Sequence, residues 1–203
     1  MSSSTSLHEE RLDVVSRLLA DSGAETVLDI GCGSGGLLER LIGVEQFTKV
    51  VGLDSSIAAL GRAERRLNDL VPGAADRLSL IHGSFTDPHP ELKGFDAAAL
   101  VETIEHIPAK RLSRVEQVVF GDYRPGLVVI TTPNSEYNVR FGIPEGEFRH
   151  PEHEFEWSRA RFRKWGDGLA ERNGYSVEYA ALGPREPVLG SPSQMAIFRA
   201  GKP

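Results

Sequence analysis

The chain has 203 residues, 40% of them hydrophobic and 26% charged, enough to bury a sizeable core within one globular domain. No apolar run reaches the ~20 residues of a membrane helix, the start Met1-Ser-Ser-Ser-Thr-Ser6 lacks the basic and apolar regions of an export signal, and Cys32, the lone cysteine, excludes a disulfide framework or a multi-cysteine zinc site. These features suit a reducing cytoplasm without membrane contact, and the net charge of -6 excludes a protein that coats long stretches of nucleic-acid backbone, though not one that grips a terminus.

With no internal repeat and no Pro/Gly/Ser-rich linker, residues 1–203 read as a single domain with residues 1–5 a frayed tail. Leu12, Val15, Leu18 and Leu19 share one helical face after a capping box, Ser6 with Glu9. Strand-length apolar runs then follow at Val27–Ile30, Val50–Leu53, Leu78–Ile81, Ala97–Val101 and Leu127–Thr131. They largely ignore strict alternation, as strands buried on both faces do. Helical spacing recurs at Leu37, Leu38, Leu41 and Ile42, and at Leu112, Val115, Val118 and Val119. Ser158 caps a helix carrying Phe162, Trp165 and Leu169 and stopped by Asn173-Gly174, and Tyr175–Tyr179 and Met195–Phe198 close the chain as two strands. The pattern predicts an α/β fold, a doubly wound, mostly parallel sheet of seven strands with an antiparallel edge strand.

Val27-Leu-Asp29-Ile-Gly31-Cys-Gly33-Ser-Gly35-Gly36 places a glycine turn between the first strand and the next helix. Glycine lets the backbone approach a ligand and visit positive φ. Gly31, Gly33 and Gly36 also satisfy the dinucleotide pattern G-x-G-x-x-G. Asp54 closes the second strand, with Ser55 beside it, where a carboxylate can accept bonds from both hydroxyls of a ribose. Asp29, two residues before the first glycine, makes the loop resemble the D-x-G-x-G-x-G loop of class I S-adenosylmethionine-dependent methyltransferases. That resemblance implies S-adenosylmethionine as cofactor, Asp29 organising its methionine end, Asp54 holding its ribose, and Ser84 and Phe85 receiving its adenine. A second domain for hydride transfer is not evident, which disfavours a dehydrogenase.

Directly after the fourth strand stands Glu102-Thr-Ile-Glu105-His106. In a helical turn, positions i, i+3 and i+4 share a face, so two carboxylates and an imidazole converge. Neighbouring carboxylates repel unless a cation lies between them, and a divalent metal meets that need. A further ligand is expected from Phe148-Arg149-His150-Pro-Glu-His153-Glu-Phe155-Glu156-Trp157. Oxygen and nitrogen donors favour Mn²⁺ or Mg²⁺, with Zn²⁺, Co²⁺ and Fe²⁺ as alternatives.

Taken with Thr131-Thr-Pro133-Asn134-x-x-Tyr137-Asn138, these blocks resemble the Hua enhancer family of small-RNA 3′-terminal 2′-O-methyltransferases over about Val27 to Phe198. The bacterial branch is most similar, through Pro192-Ser-Gln-Met-Ala-Ile-Phe198. The resemblance implies metal ligands Glu102, Glu105, His106 and His153, catalytic roles for Glu105, His106 and His150, and the 3′ end of RNA as substrate. His150 is left open between general base, outer metal partner and RNA contact. Thr132, Asn134 and Asn138 are expected to orient their loop and contact substrate, and Phe155 with Trp157 to pack. The resemblance also implies a polynucleotide kinase–phosphatase/ligase repair protein as partner. Since that branch often carries the domain as half of a longer protein, the chain reads as an excised domain or a stand-alone relative.

A divalent ion that chelates both oxygens of a terminal ribose would activate the 2′-hydroxyl and recognise a free 3′ end. Between residues 140 and 172, seven Lys/Arg face seven Asp/Glu, so a short RNA footprint with shallow salt dependence is expected. A small-molecule diol as methyl acceptor, and a non-catalytic binding module, are the competing readings.

Overall fold

The computed structural model describes residues 2–70 and 76–201. In chain order its main elements are α1 (Ser2–Asp21), β1 (Thr26–Ile30), α2 (Gly36–Ile42), β2 (Lys49–Asp54), α3 (Ile57–Leu70), β3 (Leu78–His82), β4 (Ala97–Val101), α4 (Leu112–Val115, continued as a π-helix through Glu116–Tyr123), β5 (Leu127–Pro133), α5 (Arg159–Asn173), β6 (Tyr175–Leu182) and β7 (Ser193–Ala200). The strands form one seven-stranded sheet in the order β3-β2-β1-β4-β5-β7-β6. The first five pair in parallel. β7 runs antiparallel to both β5 and β6, so the antiparallel strand falls at the expected end of the sheet, one place in from its margin.

Two apolar layers sandwich the sheet. Leu12, Val15 and Leu19 of α1, the four predicted apolar residues of α2, and Leu60, Ala63 and Leu67 of α3 cover one face. Leu112, Val115, Val118, Val119 and Phe120, with Phe162 and Leu169 of α5, cover the other. This double coverage is why β5 is buried along its whole length and why β1, β2 and β4 are largely buried, while β3 at one edge is only partly covered.

The start of the chain differs from expectation. α1 begins at Ser2, so residues 2–5 of the expected frayed tail are helical and Ser6 lies inside the helix rather than at its N-terminus. Extending a nucleated helix costs little per residue, even through poor helix formers. The Ser158 cap is as expected: its hydroxyl accepts from Arg161 N–H, and Gly174 ends α5 at φ +72°.

Strand order reverses between β1 and β4, and the crevice at the carboxyl ends of strands flanking such a reversal is where open α/β sheets take ligands. The glycine loop follows β1 and the Glu102–His106 segment follows β4. Both sequence motifs therefore arrive at one crevice.

Candidate functional site

The loop after β1 is shaped by three glycines at positive φ, Gly31 (+76°), Gly33 (+55°) and Gly35 (+81°). A Cβ on Gly31 would stand 2.4 Å from Thr103 Cγ2, so the loop packs directly against the segment after β4. A Cβ on Gly33 would meet nothing within 4 Å, leaving open space in front of the backbone. Asp54 fixes the loop from β2: its Oδ2 accepts from Gly33 N–H and its Oδ1 from Ser56 N–H, each at 2.8 Å. Each carboxylate oxygen keeps a second acceptor site for a ribose hydroxyl. Asp29 is buried beneath the loop, and its Oδ2 has no hydrogen-bond partner. Burial and the charge of Asp54 push its carboxyl up to about 7. Ser55 is exposed beside Asp54, and Ser84 Oγ is hydrogen-bonded to Thr86 Oγ1 at 2.8 Å. Phe85 packs, partly buried, against the core.

After β4 the turn is built differently from the predicted helical one. Only Ile104–His106 form a 3₁₀ turn, and Glu102 stands before it with φ +50°. Glu102 N–H still donates to the carbonyl and hydroxyl oxygens of Thr131, both at 3.1 Å, so residue 102 extends the β4–β5 pairing before the chain reverses. Glu102 and Glu105 are thus brought together by a strand end and a turn rather than by helical spacing.

Both carboxylates are held from below. Thr131 Oγ1 lies 3.1 Å from Glu102 Oε1, and Arg11 of α1 reaches Glu102 Oε2 at 3.2 Å. Thr132 Oγ1 donates to Glu105 Oε2 at 3.0 Å, while Glu105 Oε1 is buried without a partner. Burial raises the Glu102 carboxyl, opposed by Arg11. Glu105, fully buried, is raised well above the usual carboxylate range by burial and by the charge of Glu102.

The loop bearing His150 and His153 closes over this turn. Glu154 N–H donates to Glu105 O at 2.8 Å, and ligand atoms of His106, His150 and His153 lie within 4.8 Å of one another. Neither glutamate is part of that close grouping. His153 Nδ1 is 2.6 Å from Glu156 Oε1. A carboxylate can only accept, so Nδ1 carries the proton and Nε2 offers its lone pair, the arrangement found where carboxylates orient metal-binding histidines. Glu156 also accepts from Asn138 Nδ2 and Arg149 N–H, and these bonds hold its carboxyl low against the opposing effect of burial. His150 is the reverse case: its Nδ1 accepts from Glu152 N–H at 3.2 Å, which leaves the ring proton on Nε2. Burial and His153 lower the His106 imidazole.

Comparison with known proteins decides the family. A methyltransferase-domain profile matches residues 28–120. A crystal structure of the methyltransferase domain of bacterial CtHen1 is 38% identical, with a TM-score of 0.87, and the alignment covers 97% of this chain and all of that one. The chain belongs to the Hen1-type methyltransferase family. It is also 34% identical to the small RNA 2′-O-methyltransferase of Xenopus tropicalis over 95% of its own length and 54% of that protein's, so it spans about half of that relative. A chain of the Pnkp1/Rnl/Hen1 RNA repair complex, at 22% identity and a TM-score of 0.70, shares the fold.

In this Hen1-type chain, the residues singled out from sequence fall into two groups at one crevice. Asp29, Gly31, Gly33, Asp54, Ser55, Ser84 and Phe85 gather at the ends of β1, β2 and β3. Glu102, Glu105, His106, His150 and His153 gather beyond β4 and on the loop before α5. The space before Gly33 and the unpartnered Asp29 oxygen fit a nucleoside-bearing, partly cationic cofactor. The unpartnered Glu105 oxygen, its carboxyl raised by burial and by the charge of Glu102, and the His153 lone pair fit a hard divalent cation.

Asn134 and Asn138 do orient their loop: Asn134 Nδ2 donates to Leu189 O and Ser191 O, and Asn138 holds Glu156. Phe155 and Trp157 are buried and stacked at 4.4 Å, a packing pair. Sequence reasoning misses Arg11, because nothing in the sequence ties it to a residue so far along the chain. Arg149 and Glu156 stand within the quoted motif, but their part in fixing His153 becomes visible only with the fold.

Proposed function

We propose that the chain transfers a methyl group from S-adenosylmethionine to the 2′-hydroxyl of the 3′-terminal nucleotide of RNA, in a reaction that depends on a divalent metal. The observation that carries this reading is the contact between the glycine loop and the Glu102–His106 segment at Gly31 and Thr103. On this reading a methyl-donor pocket and a metal-ligand cluster would lie side by side, which supports methylation of a metal-activated hydroxyl.

The donor would lie over Gly33, its ribose on Asp54 and its cationic end toward Asp29. Glu102, Glu105, His106 and His153 would hold the cation, Mn²⁺ or Mg²⁺ by donor type. The bound ion supplies Lewis acidity, which lowers the pKa of a ribose hydroxyl into reach at neutral pH. The chain's own contribution is positioning: Thr132 and Thr131 orient the two carboxylates, and Glu156 fixes the tautomer of His153. Holding donor and acceptor in line for transfer supplies much of the rate. With Nδ1 accepting from Glu152 N–H, the His150 Nε2–H is suited to donate to an RNA oxygen, so we assign it to substrate contact. A repair protein with kinase–phosphatase and ligase activities fits the same reading as a partner, because it would generate or consume the RNA end on which this site acts.

Incubation with methyl-labelled S-adenosylmethionine, Mn²⁺ and a short RNA, followed by digestion to nucleosides, tests the reading. Label in a single 2′-O-methyl nucleoside from the 3′ end is expected. Label on a base, or transfer only to small-molecule diols, would replace it.

A further inference from the structure

The carboxyl edge of the sheet holds a second cavity, of about 430 Å³, between the first turn of α5, the end of β6 and the loop 183–191, with the start of β7 on its wall. That is large enough for a small organic group. Among the described residues no carboxylate lines it, whereas Arg159, Arg163 and Arg185 do, in a chain whose net charge is -6. Arg159 is already engaged, paired with Glu136 and donating to Val188 O at 2.7 Å. Arg163 and Arg185 are exposed. The Arg163 guanidinium lies over the Tyr179 ring, 5.3 Å from its centroid, which makes a flat cation–aromatic surface. Gln194, also lining the cavity, is 5% exposed and spends its Nε2 on Pro133 O and Trp157 O. Its Oε1 is buried with no partner.

The cavity is joined to the catalytic crevice through Asn134, which lines it and whose carbonyl oxygen accepts from Arg149. Arg149 N–H in turn binds Glu156, the partner of His153.

Resting on the RNA reading above, we propose that this cavity is a subsite for a nucleotide upstream of the RNA 3′ end. Its base stacks at the Arg163–Tyr179 surface, and its phosphate faces Arg185. A free phosphate or an acidic peptide satisfies the arginines but brings no planar base to the Arg163–Tyr179 surface. A nucleotide offers a planar base and a phosphate together.

The test is fluorescence anisotropy with RNAs of two to eight nucleotides that already carry a 2′-O-methyl 3′ end, so that binding is read without turnover. The native chain is compared with Arg163→Ala, Arg185→Ala and the double variant, all at exposed positions. Native affinity is expected to rise with length until the cavity is filled and then to level. The double variant should bind the longer RNAs ~10-fold more weakly or worse. Its salt slope should be shallower by ~0.7, because one phosphate is no longer neutralised. A loss that is equal at every length, or no loss, overturns the subsite. Failure of the native chain to methylate any RNA would overturn the functional reading alone, since the binding series decides the subsite separately.

Discussion

The backbone N–H of Glu154 donates to the carbonyl oxygen of Glu105 at 2.8 Å. This single bond fastens the loop that carries His150 and His153 to the turn that carries Glu105 and His106. The candidate metal site is therefore one assembly drawn from two segments about fifty residues apart in sequence, and substitutions on either segment should be read at the other.

Glu105 is the most exacting position, fully buried with one oxygen lacking a partner. Without a cation this carboxyl tends to stay protonated. Glu105→Gln should therefore leave the metal-free fold at least as stable and S-adenosylmethionine affinity unchanged, while abolishing methyl transfer. Thermal melts with and without Mn²⁺ check this. The native chain should gain stability with Mn²⁺, by ~2.7 kcal/mol at a hundredfold excess over Kd, and the variant should gain almost none.

Glu156 acts through His153. Its replacement by Gln leaves a group that can donate as well as accept, so the proton on His153 Nδ1 is no longer enforced. Metal affinity should fall ~10–100-fold, measured by calorimetric titration, with cofactor binding little affected. An unchanged metal affinity would separate His153 from the ligand set.

Gly31 and Gly33 should behave differently although both have positive φ. At Gly31 an alanine Cβ meets Thr103 at 2.4 Å in addition to the backbone strain, so Gly31→Ala should destabilise the fold by ~2–4 kcal/mol. At Gly33 the added methyl meets open space, and Gly33→Ala should cost about 1–2 kcal/mol while weakening S-adenosylmethionine binding out of proportion. Denaturant unfolding paired with cofactor titration distinguishes the two.

Asp29 supplies a pH dependence. Its carboxyl is raised from 3.8 to about 7 by burial and the charge of Asp54. A raised acid binds its proton more tightly in the folded state, so the stability it contributes is greatest below about 4 and is lost as pH rises toward 7. The loss is at most ~4 kcal/mol. Asp29→Asn should flatten the fall in apo-protein melting temperature between about pH 4 and 7. In the native chain a cationic ligand beside Asp29 favours the carboxylate, so cofactor affinity should rise over the same interval.

Much of this architecture is legible in sequence because its signals are local. Four buried parallel strands appear as apolar runs, whereas β3, expected to be buried on both faces, is an edge strand and only partly covered; Ser158 and Asn173-Gly174 bracket α5 as residue chemistry dictates. α3 carries a clear apolar stripe, Leu60, Ala63 and Leu67 with Ala59 beside it, but these residues are set among charged ones and form no apolar run. The segment 116–123 keeps its predicted apolar residues buried but is wound as a π-helix, which side-chain spacing alone does not distinguish. At the site, the side-chain types are readable and the support is not. The left-handed φ of Glu102 follows from its bond to β5, and the Arg11 contact from the packing of α1; both depend on partners distant in sequence.

The central claim is that a free terminal diol is held and methylated at the Glu102–His153 cluster. The most direct measurement compares three RNAs identical except at the 3′ end, with labelled S-adenosylmethionine and Mn²⁺ at saturation: one with 2′- and 3′-hydroxyls, one with a 2′-deoxy terminus and one with a 3′-phosphate. The account predicts transfer to the first alone, abolished by a chelator. Equal transfer to all three, or transfer that survives the chelator, would contradict it.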